Sequence, residues 1–150
     1  MKKMRRGIAI LIPVLAFCLV LPFLRAEVNE RVMVTVLVAS NQGTDFNLDN
    51  DAYRDQLIKL FSYKSYSQKD QVVVRLERTK REKVSLPGGY ELLLLLQDEQ
   101  SGKLMVQAVI RKGETTYLDT IMSILKPGVA FLGGPPAEGG VLILVLESGI

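Results

Sequence analysis

Oxygen-bearing side chains fall at alternate positions in Asp45-Phe46-Asn47-Leu48-Asp49-Asn50-Asp51, the spacing with which a loop can wrap a calcium ion. General acid–base chemistry would need two carboxyl groups brought together, for example Glu91 and Asp119, and nothing in their sequence positions does that. The remaining inventory is short. The 150 residues hold no histidine and a single cysteine, Cys18, which removes Ser–His and Cys–His nucleophile pairs and most zinc sites. Gly133-Gly134 and Gly139-Gly140 frame prolines and do not open a helix, so they do not form a phosphate cradle. The sequence assigns no catalytic, cofactor-binding or metal-binding residue, and no cofactor is expected.

The acidic loop departs from an EF-hand at two places. Asn50 stands where that family has glycine, and Gln56 occupies the place of the bidentate glutamate, leaving Asp55 one residue short. The plainer reading is an acidic loop that caps a following helix, whose N-terminus favours negative charge. Tyr53, Phe61, Tyr63 and Tyr66 are read first as core packing; as a ligand platform beside the loop they would make a small-ligand or calcium-binding module, the alternative function. An exported hydrolase ranks third. Arg75, Arg78, Lys80, Arg81 and Lys83 are the densest basic stretch, but Glu77 and Glu82 interrupt it and no aromatic residue is interleaved. It reads as a solvated hairpin tip and not as a nucleic-acid surface.

The whole chain carries +3, yet the first 26 residues hold five of its 19 basic residues and none of its 16 acidic ones. Beyond them 14 basic residues face 16 acidic ones, a net charge of about −2, so no nucleic-acid partner is expected. Residues 1–26 have a cationic start with Lys2, Lys3, Arg5 and Arg6, an apolar stretch from Ile8 to Leu24, and a small residue at Ala26. That order reads as a secretory signal cleaved after Ala26, or as an uncleaved anchor to the inner membrane through residues 8–24. Either reading places residues 27–150 outside the cytoplasm, and periplasmic placement is expected. Leu15-Ala16-Phe17-Cys18 resembles the lipid-attachment box of bacterial lipoproteins, with Phe17 where that family has a small residue.

The elements that would position these groups are mostly strands. Tyr90-Glu91-Leu92-Leu93-Leu94-Leu95-Leu96-Gln97, bounded by glycines, reads as a central strand with both faces covered. Arg31 to Ala39 has the same buried, β-branched character. Ser40 to Asp51 is a polar loop; Ala52 to Phe61 then follows helical spacing, with Asn50 or Asp51 as its cap. Strands are expected over Gln71–Arg78, Lys83–Leu86, Leu104–Lys112, Thr116–Leu125, Val129–Leu132 and Val141–Leu146. A glycine-proline loop over 133–140 separates the last two. The expected fold is α+β, mainly β: an antiparallel sheet or sandwich of about seven to eight strands with one helix, about 51–62, packed on it.

Thr120-Ile121-Met122-Ser123-Ile124-Leu125-Lys126-Pro127-Gly128-Val129-Ala130-Phe131-Leu132-Gly133-Gly134 resembles the strand, turn, strand, Gly-Gly hairpin near the end of bacterial secretin domains. Pro135 stands where secretins tend to have leucine, and 150 residues do not hold their barrel and stacked modules. What the resemblance implies is an envelope setting, secretion or pilus associated. The function expected is therefore a non-catalytic, exported domain that meets an envelope protein partner at a sheet edge. Lys83–Leu86 and the strand beside the glycine-proline loop are the candidate edges.

Overall fold

Val32, Val34, Val36 and Val38 alternate with Met33, Thr35, Leu37 and Ala39, and this alternation sets the first strand, β1 (Glu30–Ser40), inside a sheet with apolar groups on both faces. In the computed structural model, which describes residues 29–150, eight further strands follow. They are β2 (Phe46–Asn47), β3 (Ser65–Leu76), β4 (Glu82–Leu86), β5 (Tyr90–Gln100), β6 (Lys103–Lys112), β7 (Thr115–Leu125), β8 (Gly128–Ala137) and β9 (Gly140–Ser148). One helix, α1 (Arg54–Phe61), lies between β2 and β3. The leader expected over 1–26 lies outside the described residues. Among the described residues no helix is long and apolar enough to cross a membrane.

Two sheets form, in the orders β2-β3-β1-β9-β8 and β4-β5-β6-β7. Every pairing is antiparallel except the short parallel contact of β2 with β3. The sheets face each other across one core, into which Val32, Val34 and Val36 point from β1, Leu142, Leu144 and Leu146 from β9, and Leu92, Leu94 and Leu96 from β5. The mainly β fold with a single helix is thus as expected, with β2 emerging from the expected Ser40–Asp51 loop.

A second, smaller core lies on the far side of the five-stranded sheet, where Leu37, Ala39, Ile143 and Val145 meet Leu57 and Tyr53 beneath the helix. Among the described residues the five-stranded sheet is therefore the one with an apolar layer on each face, most completely at β1 and β9. The expectation that β5 is covered on both faces is corrected here: Leu93 and Leu95 point away from the core and belong to neither cluster. Leu93 is nevertheless buried, because Lys83 and Val109 flank it in register and the Lys83–Glu91–Arg111 ion pairs lay their aliphatic stems alongside. The gross burial contributed by β5 to the core comes from three leucines, roughly 5 to 9 kcal/mol, and not from five.

Four boundaries also differ. The helix begins as a 3-10 turn over Asp51–Tyr53, with the Asn50 side chain accepting from the Ala52 N–H at 2.9 Å, and becomes α-helical only at Arg54. β3 starts at Ser65 and not at Gln71, because its polar first half pairs with β1 and β2 through the backbone. β8 runs through Gly133-Gly134-Pro135-Pro136, and the turn is only Glu138-Gly139, both with positive φ. An edge strand tolerates the missing proline N–H groups. Finally, residues 77–81 cross from one sheet to the other, so the basic stretch is not a hairpin tip. The Thr120–Gly134 segment likewise turns a corner between sheets, with β7 in one and β8 in the other.

Candidate functional site

Several of the polar groups singled out in the sequence have local partners. Asp49 is latched to β3 by Gln68, whose Nε2 donates to the carboxylate at 2.7 Å while its Oε1 accepts from the Asp49 N–H at 3.2 Å. Asn50 caps the helix start, and the Asp45 carbonyl accepts from the Tyr66 N–H at 2.9 Å. These bonds hold the acidic loop as a connector. Among the described residues no three His, Cys, Asp or Glu side chains converge as a metal site would require.

Glu91 and Asp119 lie two strands apart, on β5 and β7, about 10 Å across the sheet. Glu91 is held by Lys83 at 3.2 Å and Arg111 at 3.1 Å, which pull its carboxyl below the usual carboxylate range, the opposite of what a general acid needs. Asp119 accepts from Gln107 Nε2 at 2.9 Å. In the basic stretch, Arg78 pairs with Asp98 at 2.9 Å and Lys80 with Glu82 at 2.9 Å.

The aromatic cluster clasps the helix. Tyr66 is fully buried, its hydroxyl donates to the Leu57 carbonyl at 3.0 Å, and its ring packs on Phe46 and Tyr63. The cavity beside Tyr53, lined by Thr35, Leu48, Gln68 and Gln71 among others, measures about 10 Å³ and has room for about one water, far below what a ligand needs. Tyr53 donates its hydroxyl to the Glu147 carboxylate, and burial, followed by that bond and the negative charge, raises its pKa to about 12. A folded-state pKa above the unfolded value near 10 gives stability that is complete below pH 10 and lost as pH rises toward 12. Melting temperatures should therefore fall more steeply over this window in the native chain than in Tyr53→Phe. Parallel curves for the two would contradict the assignment.

The sheet edges offer a different kind of site, and the outermost strands of the sandwich are four: β2, β8, β4 and β7. Unpaired backbone along an edge invites a foreign strand, and proteins blunt it by shortness, charge, proline or a bulge. β2 has two residues and covers β3 only at Tyr66 and Ser67, beyond which Lys69, Asp70 and Arg75 put charge along the exposed part of β3; β4 has five residues with Lys83 among them. β8 carries Pro135 and Pro136 at a register shift. β7 is different: it has eleven residues, no proline, no lysine or arginine, and one charge, Asp119, already engaged within its own sheet. Its bulge lies near the start, opposite Ile110 and Arg111, and leaves the rest of the edge straight. Among the described residues, the one hydrogen bond to its backbone from outside its own sheet is donated by Ser148 Oγ to the Leu125 carbonyl, at the strand's end. Ile121 and Leu125 are each 58% exposed and Tyr117 is 50% exposed, while Leu118 and Met122 on the other face are only partly covered by the core.

The two edges expected from the sequence, β4 and the strand beside the glycine-proline loop, are edges, but both are blunted. The open one escaped notice. Its signal was present in Thr115–Leu125, which is apolar at odd and even positions and free of the residues that guard edges. The chain matches no known protein family, no curated protein and no solved structure.

Proposed function

We propose that this chain is an exported, non-catalytic domain of a bacterial envelope that works by protein contact, accepting a partner's strand on the open edge of β7. The observation that carries this reading is the contrast among the four edges: three are short or blunted, and the longest is unguarded with Ile121 and Leu125 exposed along it. Strand addition draws affinity from backbone hydrogen bonds, each of net value about 0.5 to 1.5 kcal/mol, and selectivity from the side chains beside them. Support for export comes from the cationic and apolar order of residues 1–26. The likeness of Thr120–Gly134 to secretin sequences supports an envelope setting, secretion or pilus associated.

A photoreactive residue placed at Ile121 in cells producing the full chain tests this reading. The expected result is a discrete protein adduct at Ile121, with none when the probe stands at Lys83 on β4 or at Leu60, an equally exposed apolar position on the helix. Equal labelling at Leu60 and Ile121, or no adduct at Ile121, would overturn the proposal.

A further inference from the structure

We infer that the occupant of the β7 edge is β7 of a second copy of this chain, paired antiparallel about a two-fold axis through Ile121. The inference rests on the reading of β7 as the contact edge and names the partner from the strand's own sequence. In a two-fold antiparallel pair each residue meets the one equally far beyond the axis, so a single choice of centre fixes every contact.

Centring on Ile121 sets Ile121 against its own copy and Asp119 against Ser123, on the outward face. On the inward face it sets Leu118 against Ile124 and Thr120 against Met122, and it brings Leu125 opposite the exposed Tyr117. Ile121, Leu118 with Ile124, and Leu125 with Tyr117 thus meet apolar partners, Met122 meets Thr120, and the single charge meets a hydroxyl. The two Asp119 carboxylates would be about 14 Å apart, beyond the screening length of about 8 Å at physiological salt. Other centres lose this match. An axis through Asp119 would place two carboxylates face to face, and one through Thr120 would set Asp119 against Ile121.

The same pairing explains how assembly stops. Joining the two four-stranded sheets through β7 gives one continuous eight-stranded sheet and uses up the only long unguarded edge of each copy among the described residues. The edges left over are short, carry proline or, along β3 beyond Ser67, carry Lys69, Asp70 and Arg75, so the assembly closes as a dimer and does not grow into a fibre.

Sedimentation of the protein recovered from cells producing the full chain tests the inference. Wild type should dimerise. Ile121→Lys and Ile121→Glu, each placing like charges directly opposite, should each raise the dimer Kd at least about tenfold, and an equimolar mixture of the two should dimerise again. Ile121 is exposed, so both variants should keep a cooperative melt, with a midpoint lowered only by the stability that dimerisation lends. If either variant misfolds, Ser123→Asp and Ser123→Lys replace them, with weakening expected for the aspartate facing Asp119 and strengthening for the lysine. A wild-type chain that stays monomeric, or a mixture that fails to re-form the dimer, would overturn the second copy as occupant. A monomer that still gives a heterologous adduct at Ile121 in cells leaves the β7 edge reading standing; a monomer with no adduct removes both.

Discussion

Leu94→Asp should leave the chain without a cooperative unfolding transition, whereas Leu95→Asp, one residue along the same strand, should keep one. Leu94 has no exposed surface and points between the sheets, with Ala108 beside it on β6. A carboxylate there is desolvated with no cation to meet it, a cost of several kcal/mol, and the leucine's own burial of about 1.5 to 3 kcal/mol is lost as well. The sum is comparable to the whole stability of a domain this size, about 5 to 15 kcal/mol. Leu95 points outward from the four-stranded sheet and keeps contact with solvent, so an aspartate there remains hydrated. Thermal or denaturant melts of the two variants check the contrast. A Leu94→Asp chain that melts like wild type would place β5 elsewhere in the fold.

Tyr66→Ala should cost about 3 to 5 kcal/mol, while Tyr66→Phe should cost less, about 1 to 3 kcal/mol. The ring fills the centre of the smaller core, and its hydroxyl ties the last turns of α1 to β3 through the Leu57 carbonyl. Removing the ring opens a cavity and frees the helix. Removing only the hydroxyl leaves the packing and gives up two bonds, the one it donates to the Leu57 carbonyl and the one it accepts from the Tyr63 N–H. Denaturant titration yields both numbers. Equal costs for the two variants would mean that the hydrogen bonds, and not the packing, hold the helix.

The strands that face the main core were legible because their inward side chains repeat at period two, as in Val32 to Val38 and Leu142 to Leu146. Where burial does not set the pattern, the reading lost its guide. The polar run Ser65 to Asp70 gave no alternation, since of its side chains only Tyr66 is buried, and its place in β3 is secured by backbone pairing. Gly133 to Pro136 carried every sign of a loop and is strand, because an edge does not need the N–H groups that proline lacks. Five leucines in a row implied two covered faces, but ion-paired stems from Lys83 and Arg111 do part of the covering on one side. The candidate site was hidden for a different reason: which strand ends a sheet is decided by strand order, and local sequence does not encode that order.

The proposed contact therefore lies on one edge, β7. Its measure is amide hydrogen exchange across Tyr117 to Leu125, compared at low and high concentration of the protein recovered from cells producing the full chain. Exchange on this strand should slow as concentration rises, should stay fast in Ile121→Lys, and should be unchanged on β4 and β8. Slowing on β4 or β8, or identical exchange on β7 at both concentrations, would contradict it.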